Sequence, residues 1–225
     1  MISSRLNEQD GWLSVWWEDR DPAISPGEVA RQFHEYILKS GIPNAVVGSE
    51  TPAVARALLE LPGFSVLGEE RRYERPWPSG VKAPDITGIR PATKDDAATI
   101  SRILDESFGE AMGGIFPPER CANELFQEDW HNWLITDGGE MAGYACAIHD
   151  GDEGVVNFIA IVQRAQGRGL GKRLMDLMLA ELDRKPHKKI ALTCESHRTR
   201  ALRLYERYGF KPTEGPLVNV KWNKP

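Results

Sequence analysis

The segment Ile159-Ala-Ile-Val-Gln-Arg-Ala-Gln-Gly-Arg-Gly-Leu-Gly-Lys-Arg-Leu174 decides the fold of this chain. An apolar run leads into closely spaced glycines and then into helical spacing, which predicts a buried strand, a tight loop and a helix over residues 169–184. Glycines let the backbone approach a ligand closely, and the free N–H groups of a helix N-terminus favour an anion. The segment therefore indicates a pyrophosphate-binding turn.

Two familiar phosphate motifs do not fit this glycine loop. A P-loop needs Ser or Thr after its lysine, but Arg173 follows Lys172, and Gln166 stands where the first glycine would be. A Rossmann fingerprint fails because Lys172 replaces its third glycine. On the loop alone, a glycine-rich strand-to-helix turn without a ligand stays an alternative.

The loop lies within a regular order of predicted elements. Prolines and a glycine over residues 75–84 predict a linker, and the residues after it predict the order β-α-α-β-β-β-α-β-α-β-β. The first strand of this order is expected over 85–91 and the second helix over 119–129. The turn Asp137-Gly-Gly-Glu140 predicts a hairpin, and the apolar run 155–162 is typical of a strand in the middle of a sheet. The order predicts an α/β fold with helices on both faces of the sheet.

Three segments carry a resemblance to a known family. Residues 159–174 resemble motif A of the GNAT superfamily of acyltransferases, a central strand followed by Gln/Arg-x-x-Gly-x-Gly/Ala and a helix. The stretch Ile89-Arg-Pro-Ala-Thr-Lys-Asp-Asp-Ala97 is similar to the family's opening strand and first helix. Ala201-Leu-Arg-Leu-Tyr-Glu-Arg-Tyr-Gly-Phe210 looks like its closing helix and Gly-Phe turn. The resemblance covers residues 85–222 and implies a GNAT fold, with a mixed, mostly antiparallel central sheet flanked by helices.

The same resemblance implies an N-acetyltransferase that moves an acetyl group from acetyl-CoA, its co-substrate, to a primary amine by direct attack in a ternary complex. The strand backbone would pair with the pantetheine arm and polarise the thioester carbonyl, while its side chains pack in the core. The implied cofactor-binding residues are Ile159, Ala160, Ile161, Gln166, Gly167, Arg168, Gly169, Leu170, Gly171, Lys172 and Arg198.

Tyr205 matches the family's general acid, which protonates the departing thiolate. A half-buried aromatic on an amphipathic helix is the alternative for this residue. Tyr208, further along the same helix, is expected to pack against the Gly-Phe turn. Arg198 replaces the family's asparagine, and its guanidinium would reach a CoA phosphate instead.

The general base departs from the family pattern. Many members carry a glutamate in the central strand or the next one, but Val155 and Thr193 occupy those positions. Glu195 is the predicted base, with a solvated carboxylate as the equal alternative, and a water relay also stays open. The other side chains considered are His197, Glu153 and Asn157.

The N-terminal part repeats features of the C-terminal part at a constant offset. The coinciding pairs are Ala45/Ala191, Ala55/Ala201, Leu58/Leu204, Glu60/Glu206, Gly63/Gly209 and Phe64/Phe210. With a predicted strand over 11–17 and a helix over 26–39, residues 1–80 are predicted to form a partial, degenerate GNAT-like half-domain, and 85–225 the complete GNAT domain. An acidic stretch at 18–21 stands where a glycine loop would lie, and Leu59 stands in the slot of Tyr205, so no active site is expected there. Chance similarity is the alternative.

The composition limits which classes of partner and site the chain is expected to have. A net charge of −5 over 225 residues argues against nucleic acid. The cysteines are widely spaced and no CxxC or HxxxH pair occurs, which predicts neither a disulfide framework nor a metal site. No apolar run approaches the roughly 20 residues that span a bilayer, and no signal pattern is visible, so we expect a cytoplasmic protein without a membrane partner.

The acceptor is expected to be a small-molecule or peptide amine, handled by a monomer or homodimer. The irregular segments 109–118 and 212–219 are expected to border its pocket. A cationic amine would suit the acidic residues Asp105, Glu106 and Glu110, although a solvated helix face explains them equally well. Because the usual glutamate is missing, a non-catalytic acyl-CoA-binding or sensor module is the alternative function. A longer acyl donor or a protein N-terminus as acceptor is a third possibility.

Overall fold

The computed structural model describes residues 2–6, 11–17, 21, 23–82, 84–108, 116–213 and 215–225. The elements, in chain order, are β1 (Ile2–Leu6), β2 (Trp12–Trp17), α1 (Pro26–Ser40), β3 (Asn44–Glu50), α2 (Pro52–Leu59), β4 (Phe64–Pro76), β5 (Ile89–Pro91), α3 (Ala97–Phe108), α4 (Pro118–Glu124), β6 (Trp130–Asp137), β7 (Glu140–Asp150), β8 (Glu153–Ile161), α5 (Leu170–Leu182), β9 (Lys189–Glu195), α6 (Thr199–Arg207), β10 (Lys211–Pro212) and β11 (Leu217–Asn223). Among the described residues, no helix is both long and apolar enough to cross a membrane.

The chain forms two compact units that interleave along the sequence. The first unit comprises Met1–Arg72, Cys194–Thr199 and Thr213–Pro225, and the second comprises Tyr73–Thr193 and Arg200–Pro212. The division after Arg72 falls inside β4, before the predicted linker at 75–84, and β4 itself runs two residues into that segment, to Pro76. Tyr73 and Glu74 of that strand pair with β10. The domains predicted at 1–80 and 85–225 stay a prediction.

The first unit is a sheet in the order β1-β2-β3-β11-β4 with α1 and α2 packed together. β2 and β3 are parallel, whereas β11 is antiparallel to both β3 and β4. The last strand of the chain therefore completes the first unit, and its side chains fill that core. The core residues are Leu13, Val15, Val29, Ala30, Phe33, Ile37, Ala45, Val47, Val54, Ala55, Leu58, Val220 and Trp222.

The predicted repeat has a counterpart in local structure. In the first unit α1 joins the parallel strands β2 and β3, and α5 joins the parallel strands β8 and β9 in the same way. This agrees with the offset seen in the sequence, although a GNAT-like origin of the N-terminal part stays a prediction. β1 was not predicted, because three polar residues in a row separate Ile2 from Leu6 and no apolar alternation is visible.

The second unit holds the sheet β5-β6-β7-β8-β9, antiparallel except between β8 and β9. Six consecutive residues of β7, from Ala142 to Ala147, are buried. Because successive strand residues point to opposite faces, both faces of β7 are covered, and both α3 and α5 contact this strand. The prediction of a mixed, mostly antiparallel α/β sheet flanked by helices is confirmed.

Two predicted elements are shorter in the structure. The strand expected over 85–91 is limited to Ile89–Pro91. The helix expected over 119–129 ends at Glu124, and Asp129 takes a positive φ of 64°, a conformation that does not continue a right-handed helix.

Candidate active site

The parallel strands β8 and β9 share backbone pairing only at their start. The ladder joins Glu153, Gly154 and Val155 to Lys189, Ile190 and Ala191. β8 continues to Ile161, still paired with β7 on its other side. Its second half therefore has one backbone edge that β9 does not use.

The pairing with β7 indicates which backbone groups face that open edge. The Val162 N–H donates to the Ala142 carbonyl at 3.0 Å, so the backbone N–H of residue 162 points toward β7. Since N–H groups alternate along a strand, Ala160 points toward β7, whereas Ile159 and Ile161 point away from it. The Ile161 carbonyl accepts from the Gln166 side chain at 3.1 Å, as this alternation requires.

A β-bulge marks the same stretch of β8. Cys146 pairs with Phe158 but Ala147 pairs with Val156, so Asn157 is an extra residue without a counterpart in β7. A bulge increases local twist and re-aims the strand, and bulges are over-represented beside active sites. The bulge therefore helps explain why β8 leaves β9 after Val155.

The glycine loop exposes backbone N–H groups at the start of α5. Gly167 and Gly169 have φ angles of 80° and 83°, a left-handed region that other residues rarely adopt, and neither would place a Cβ within 4 Å of another group. The N–H groups of Lys172 and Arg173 both donate to the Gly169 carbonyl. Within the described part of the chain, the N–H groups of residues 167–169 have no acceptor. Free N–H groups at a helix N-terminus favour an anion.

The cations around the loop are already paired with acids. The pairs are Arg164–Glu140, Arg168–Asp137, Lys172–Asp176 and Arg173–Asp85. Arg168 and Lys172 are largely exposed, and exposed pairs contribute only about 0–1 kcal/mol, so both side chains are available to re-pair with a phosphate. Arg200 donates to the Gln166 side chain at 3.3 Å and lies beside the loop, a contact that the sequence did not predict.

The two tyrosines of the α6 region have different surroundings. Tyr205 is buried, with 8% of its surface exposed, and packs edge-to-face against Phe210. Tyr208 was expected to pack against the Gly-Phe turn, but its hydroxyl donates to the Asp176 carboxylate on α5. Burial, together with this carboxylate, raises the pKa of the Tyr208 phenol well above its ordinary value. Tyr208 therefore keeps its proton in a structural contact.

A cavity of about 500 Å³ opens beside α5 and the end of α6. One of its lining residues is Lys172, which directly follows the last glycine of the loop. Its lining carries both signs of charge: Val81, Lys82, Lys172, Asp176, Leu204, Arg207 and Tyr208.

The side chains considered for the general base lie apart along the chain, and each of them is close to another polar side chain. Glu195 accepts from the Arg198 guanidinium within the first unit, and His197 lies 3.9 Å from the same carboxylate oxygen. Glu153 pairs with Lys189 at 3.1 Å, at the opposite end of β8 from Ile159. The Asn157 amide lies 3.9 Å from the Cys146 sulfur. Arg198 is thus held by Glu195, and its predicted role at a CoA phosphate stays a prediction.

The segments expected at the acceptor pocket are only partly described. Residues 109–115, which include Glu110, and residue 214 lie outside the described residues. Glu106 accepts the Gln163 N–H at 3.0 Å, so one of its carboxylate oxygens caps the turn after β8. Burial raises the pKa of the Asp105 carboxyl.

Sequence comparison identifies the family. The Acetyltransferase (GNAT) domain family matches residues 93–223, more than half of the chain. The chain belongs to the GNAT acetyltransferase family. This agrees with an open strand edge followed by a donor-lined glycine loop, and members of the family use acetyl-CoA.

Named relatives and a solved structure extend the match beyond the GNAT domain. The spore coat polysaccharide biosynthesis protein SpsD of Bacillus subtilis is 24% identical over 84% of this chain and 71% of its own length. The mycothiol acetyltransferase of Mycolicibacterium smegmatis is 27% identical over 77% of this chain, which spans only 64% of that protein. The fold matches a GCN5-related N-acetyltransferase from Sphaerobacter thermophilus with a TM-score of 0.70 and 20% identity, covering 100% of this chain and 76% of the other.

Proposed function

We propose that this GNAT protein transfers the acetyl group of acetyl-CoA to a primary amine by direct attack in a ternary complex. One observation carries the proposal: a free backbone edge of β8 leads directly into a loop of unpaired N–H groups at the start of α5. The edge fits the extended, amide-bearing pantetheine arm of coenzyme A, and the loop fits its pyrophosphate. These two parts are neighbours in coenzyme A, as the edge and the loop are neighbours along the chain.

Each part of the acyl donor has groups of this chain that fit it. The outward N–H and C=O of Ile159 suit the amides of the pantetheine arm. The N–H groups of residues 167–169 and the N-terminus of α5 suit the pyrophosphate, whose two negative charges the helix dipole favours. Exposed Arg168 and Lys172 supply positive charge at the rim.

The proposed reaction needs one oxyanion donor, one acid and one base. The amine nitrogen attacks the thioester carbonyl carbon, and an outward backbone N–H of β8, at Ile159 or Ile161, stabilises the negative charge that forms on the carbonyl oxygen. The C–S bond then breaks, and the Tyr205 hydroxyl gives its proton to the CoA thiolate. The proton lost by the amine goes to the base, for which Glu195, His197 and a water relay stay predictions.

The acceptor is proposed only as a class, a primary amine on a small molecule or peptide. The matched proteins support acyl transfer, since one is named mycothiol acetyltransferase, but the chain covers less than two thirds of that protein. A cytoplasmic location and a monomeric or dimeric state likewise stay predictions.

The test measures binding and turnover separately. Isothermal titration with acetyl-CoA and with free CoA would show whether the site exists, and release of the CoA thiol across a panel of amines would show turnover. We expect binding of both nucleotides and thiol release with a subset of the amines.

The two readouts have distinct meanings. Failure of acetyl-CoA and CoA to bind at millimolar concentration would remove the cofactor site and the proposal with it. Binding without thiol release across a broad panel would overturn the enzyme and leave the acyl-CoA-binding or sensor module. Preference for a longer acyl-CoA would correct the donor only.

A further inference from the structure

Four polar side chains form a cluster at the end of the second unit far from the glycine loop. His131 lies at the start of β6, His149 near the end of β7, Glu181 in the last turn of α5 and His187 between α5 and β9. The glycine loop opens α5 and Glu181 nearly closes it, so the length of the helix, at about 1.5 Å per residue, separates the two. We call these four residues the histidine cluster.

Three members of the histidine cluster converge on one point. His131, His149 and Glu181 each offer a ligand atom within 4.8 Å of the other two. The His131 and His149 rings meet edge-to-face with centroids 5.2 Å apart. The Glu181 carboxylate lies 3.5 Å from His131 Nδ1. Residues from two strands and a helix, distant in sequence, thus point their donor atoms at a common position.

The buried nitrogens of the cluster lack partners. His149 is 6% exposed, and its Nε2, like Nε2 of His131, has no hydrogen-bond partner in the part of the chain that the structure describes. A buried polar atom left unpaired costs about 1–3 kcal/mol, and such atoms in native proteins usually have a partner. His149 Nε2 is the free nitrogen of a buried ring, in a group whose ligand atoms lie within 4.8 Å of one another, which indicates a cation that accepts its lone pair.

His187 acts on His149 from the other side. Its Nε2 lies 2.8 Å from His149 Nδ1, and the two rings are stacked with centroids 5.0 Å apart. When His149 donates its Nδ1–H to His187, its Nε2 carries the lone pair. A histidine that ligates a metal typically donates its other ring N–H to a second group in this way, which fixes the tautomer and the ring orientation.

We propose that His131, His149 and Glu181 bind a divalent transition-metal ion, with Zn²⁺ as the best match, and that His187 orients His149. Two imidazoles and a carboxylate are a ligand set that Zn²⁺ accepts, with water completing a tetrahedron. At bond lengths of about 2.0–2.1 Å the ligand atoms of a tetrahedron lie roughly 3.3 Å apart, so the cluster needs to contract by about 1.5 Å or less. This reverses the sequence-based expectation of no metal site.

The charges around the proposed site are compatible with this contraction. Arg184 donates to both Glu181 oxygens, to Oε2 at 3.0 Å and to Oε1 at 3.4 Å, and Oε1 also lies 3.5 Å from His131 Nδ1. The Arg184 side chain is 74% exposed, so solvent weakens its pair with Glu181 and the carboxylate can re-pair with a cation. Lys185 is paired with Asp129. Glu181 therefore brings the one carboxylate of the three-ligand set, and one of its oxygens is directed into the cluster.

The site would act as a structural clamp rather than in acyl transfer. It would tie β6 and β7 to the end of α5, the helix whose other end carries the glycine loop. None of its three ligands is among the residues that were assigned to cofactor binding or to the general acid.

The experiment uses the full chain, freed of metal by chelation and then titrated with Zn²⁺ alone. We expect one equivalent to bind by calorimetry and elemental analysis. Glu181→Gln, which keeps the side-chain shape, and His149→Gln are expected to weaken binding by tenfold or more, and His187→Gln by about 10–100-fold through orientation. The matched controls are Glu119→Gln at an exposed position of α4 and His197→Gln, whose side chain is 70% exposed. Both are expected to bind Zn²⁺ as the parent does.

Cobalt substitution identifies the ligands independently of stability. Co²⁺ bound here should give visible bands of a four-coordinate nitrogen and oxygen site without a thiolate charge-transfer band, because Cys121, Cys146 and Cys194 lie outside the cluster. A thiolate band, no stoichiometric Zn²⁺ binding, or equal loss of binding in His197→Gln would each overturn the proposal. Full binding by Glu181→Gln and His149→Gln, with circular dichroism confirming that both are folded, would do so too.

Discussion

Val155 of β8 pairs with Ala191 of β9, and this is the last pair of their parallel ladder. β8 nevertheless runs on to Ile161, guided by β7 and bent by the bulge at Asn157. Two parallel strands that separate inside a sheet leave N–H and C=O groups without strand partners, which is costly unless another chain or a ligand uses them. In the function proposed above, the acyl donor uses these groups.

Proline substitution distinguishes the two edges of β8. Ile159→Pro removes an N–H that points away from β7, so the ladder with β7 should survive and the melting temperature should fall only modestly. The catalytic rate constant should fall by about 10²–10³-fold if that N–H serves as the oxyanion donor. Thiol-release kinetics and thermal melts are the measurements.

The control for this variant is its neighbour. Ala160→Pro removes an N–H directed at β7 and leaves its acceptor on β7 unpaired, so it should destabilise the protein by about 1–3 kcal/mol more than Ile159→Pro does. Equal destabilisation by both prolines would contradict the alternation derived from Val162 and Ala142. A folded Ile159→Pro enzyme with normal turnover would remove Ile159 from the mechanism.

A negative charge added at the start of α5 should weaken CoA binding without lowering the stability of the protein. Gly171 is the second residue of α5, and a Cβ there would meet only Leu204, at an ordinary 3.8 Å. Aspartate near a helix N-terminus is stabilising by about 0.3–1 kcal/mol, so Gly171→Asp should melt no lower than the parent. Its charge would repel a pyrophosphate, and the dissociation constant for CoA should rise at least tenfold.

Gly27→Asp is the matched variant at the second residue of α1, where a Cβ meets nothing within 4 Å. It makes the same charge change at the same helix position without a glycine loop, so CoA binding should not change. Titration calorimetry on both variants decides the point. If Gly171→Asp bound CoA as tightly as Gly27→Asp, the anion would have to sit elsewhere.

The order of elements in the GNAT domain and the glycine loop were predictable because they are local. Strand, loop and helix over 159–174 follow from apolar spacing and from glycines that take positive φ. The separation of β8 from β9 was not predictable in this way, because it depends on a bulge set by pairing with β7. The path of β11 into the first unit was also missed, since no pattern in Leu217–Asn223 states which strands will flank it.

In the candidate site, too, local features were predictable from the sequence and contacts between distant elements were not. Tyr205 was recognisable from the Leu-Tyr-Glu-Arg-Tyr-Gly-Phe context, and it is buried on α6 as a short amphipathic helix requires. The contact of Tyr208 with Asp176 joins two helices and has no sequence signal. The histidine cluster was not predicted for the same reason. His131, His149 and Glu181 lie on three different elements, and no short sequence spacing links them.

Removing the two phenols in turn should separate chemistry from packing. Tyr205→Phe keeps the ring that contacts Phe210, so acetyl-CoA binding should hold while turnover falls by about 10²-fold or more. Tyr208→Phe loses the hydrogen bond to Asp176 and should cost about 1 kcal/mol of stability, with turnover little changed. Thiol release, calorimetry and urea unfolding measure the three quantities. Unchanged turnover in Tyr205→Phe would exclude this residue as the acid.

Stability should fall with acid through the Arg90–Asp96 pair at the start of the GNAT domain. The Arg90 guanidinium, with the Thr93 N–H, lowers the pKa of Asp96 to about 2 from an ordinary 3.8. The folded state therefore holds this proton more weakly than the unfolded state. The pair's contribution is complete above about pH 4 and is lost as the pH falls toward 2. Its size is on the order of 1 kcal/mol, because Arg90 is half exposed and solvent screens the pair.

Replacement of the arginine tests this assignment directly. In Arg90→Gln the pKa of Asp96 should move up toward its ordinary value, and the loss of unfolding free energy between pH 4 and pH 2 should become shallower. Carboxyl NMR titration gives the pKa, and urea unfolding at each pH gives the free energy. Arg102→Gln removes the same charge from the exposed face of α3 and should leave both unchanged. An Asp96 that titrates near pH 4 in the parent protein would show that the pair does not hold the carboxylate in its charged form.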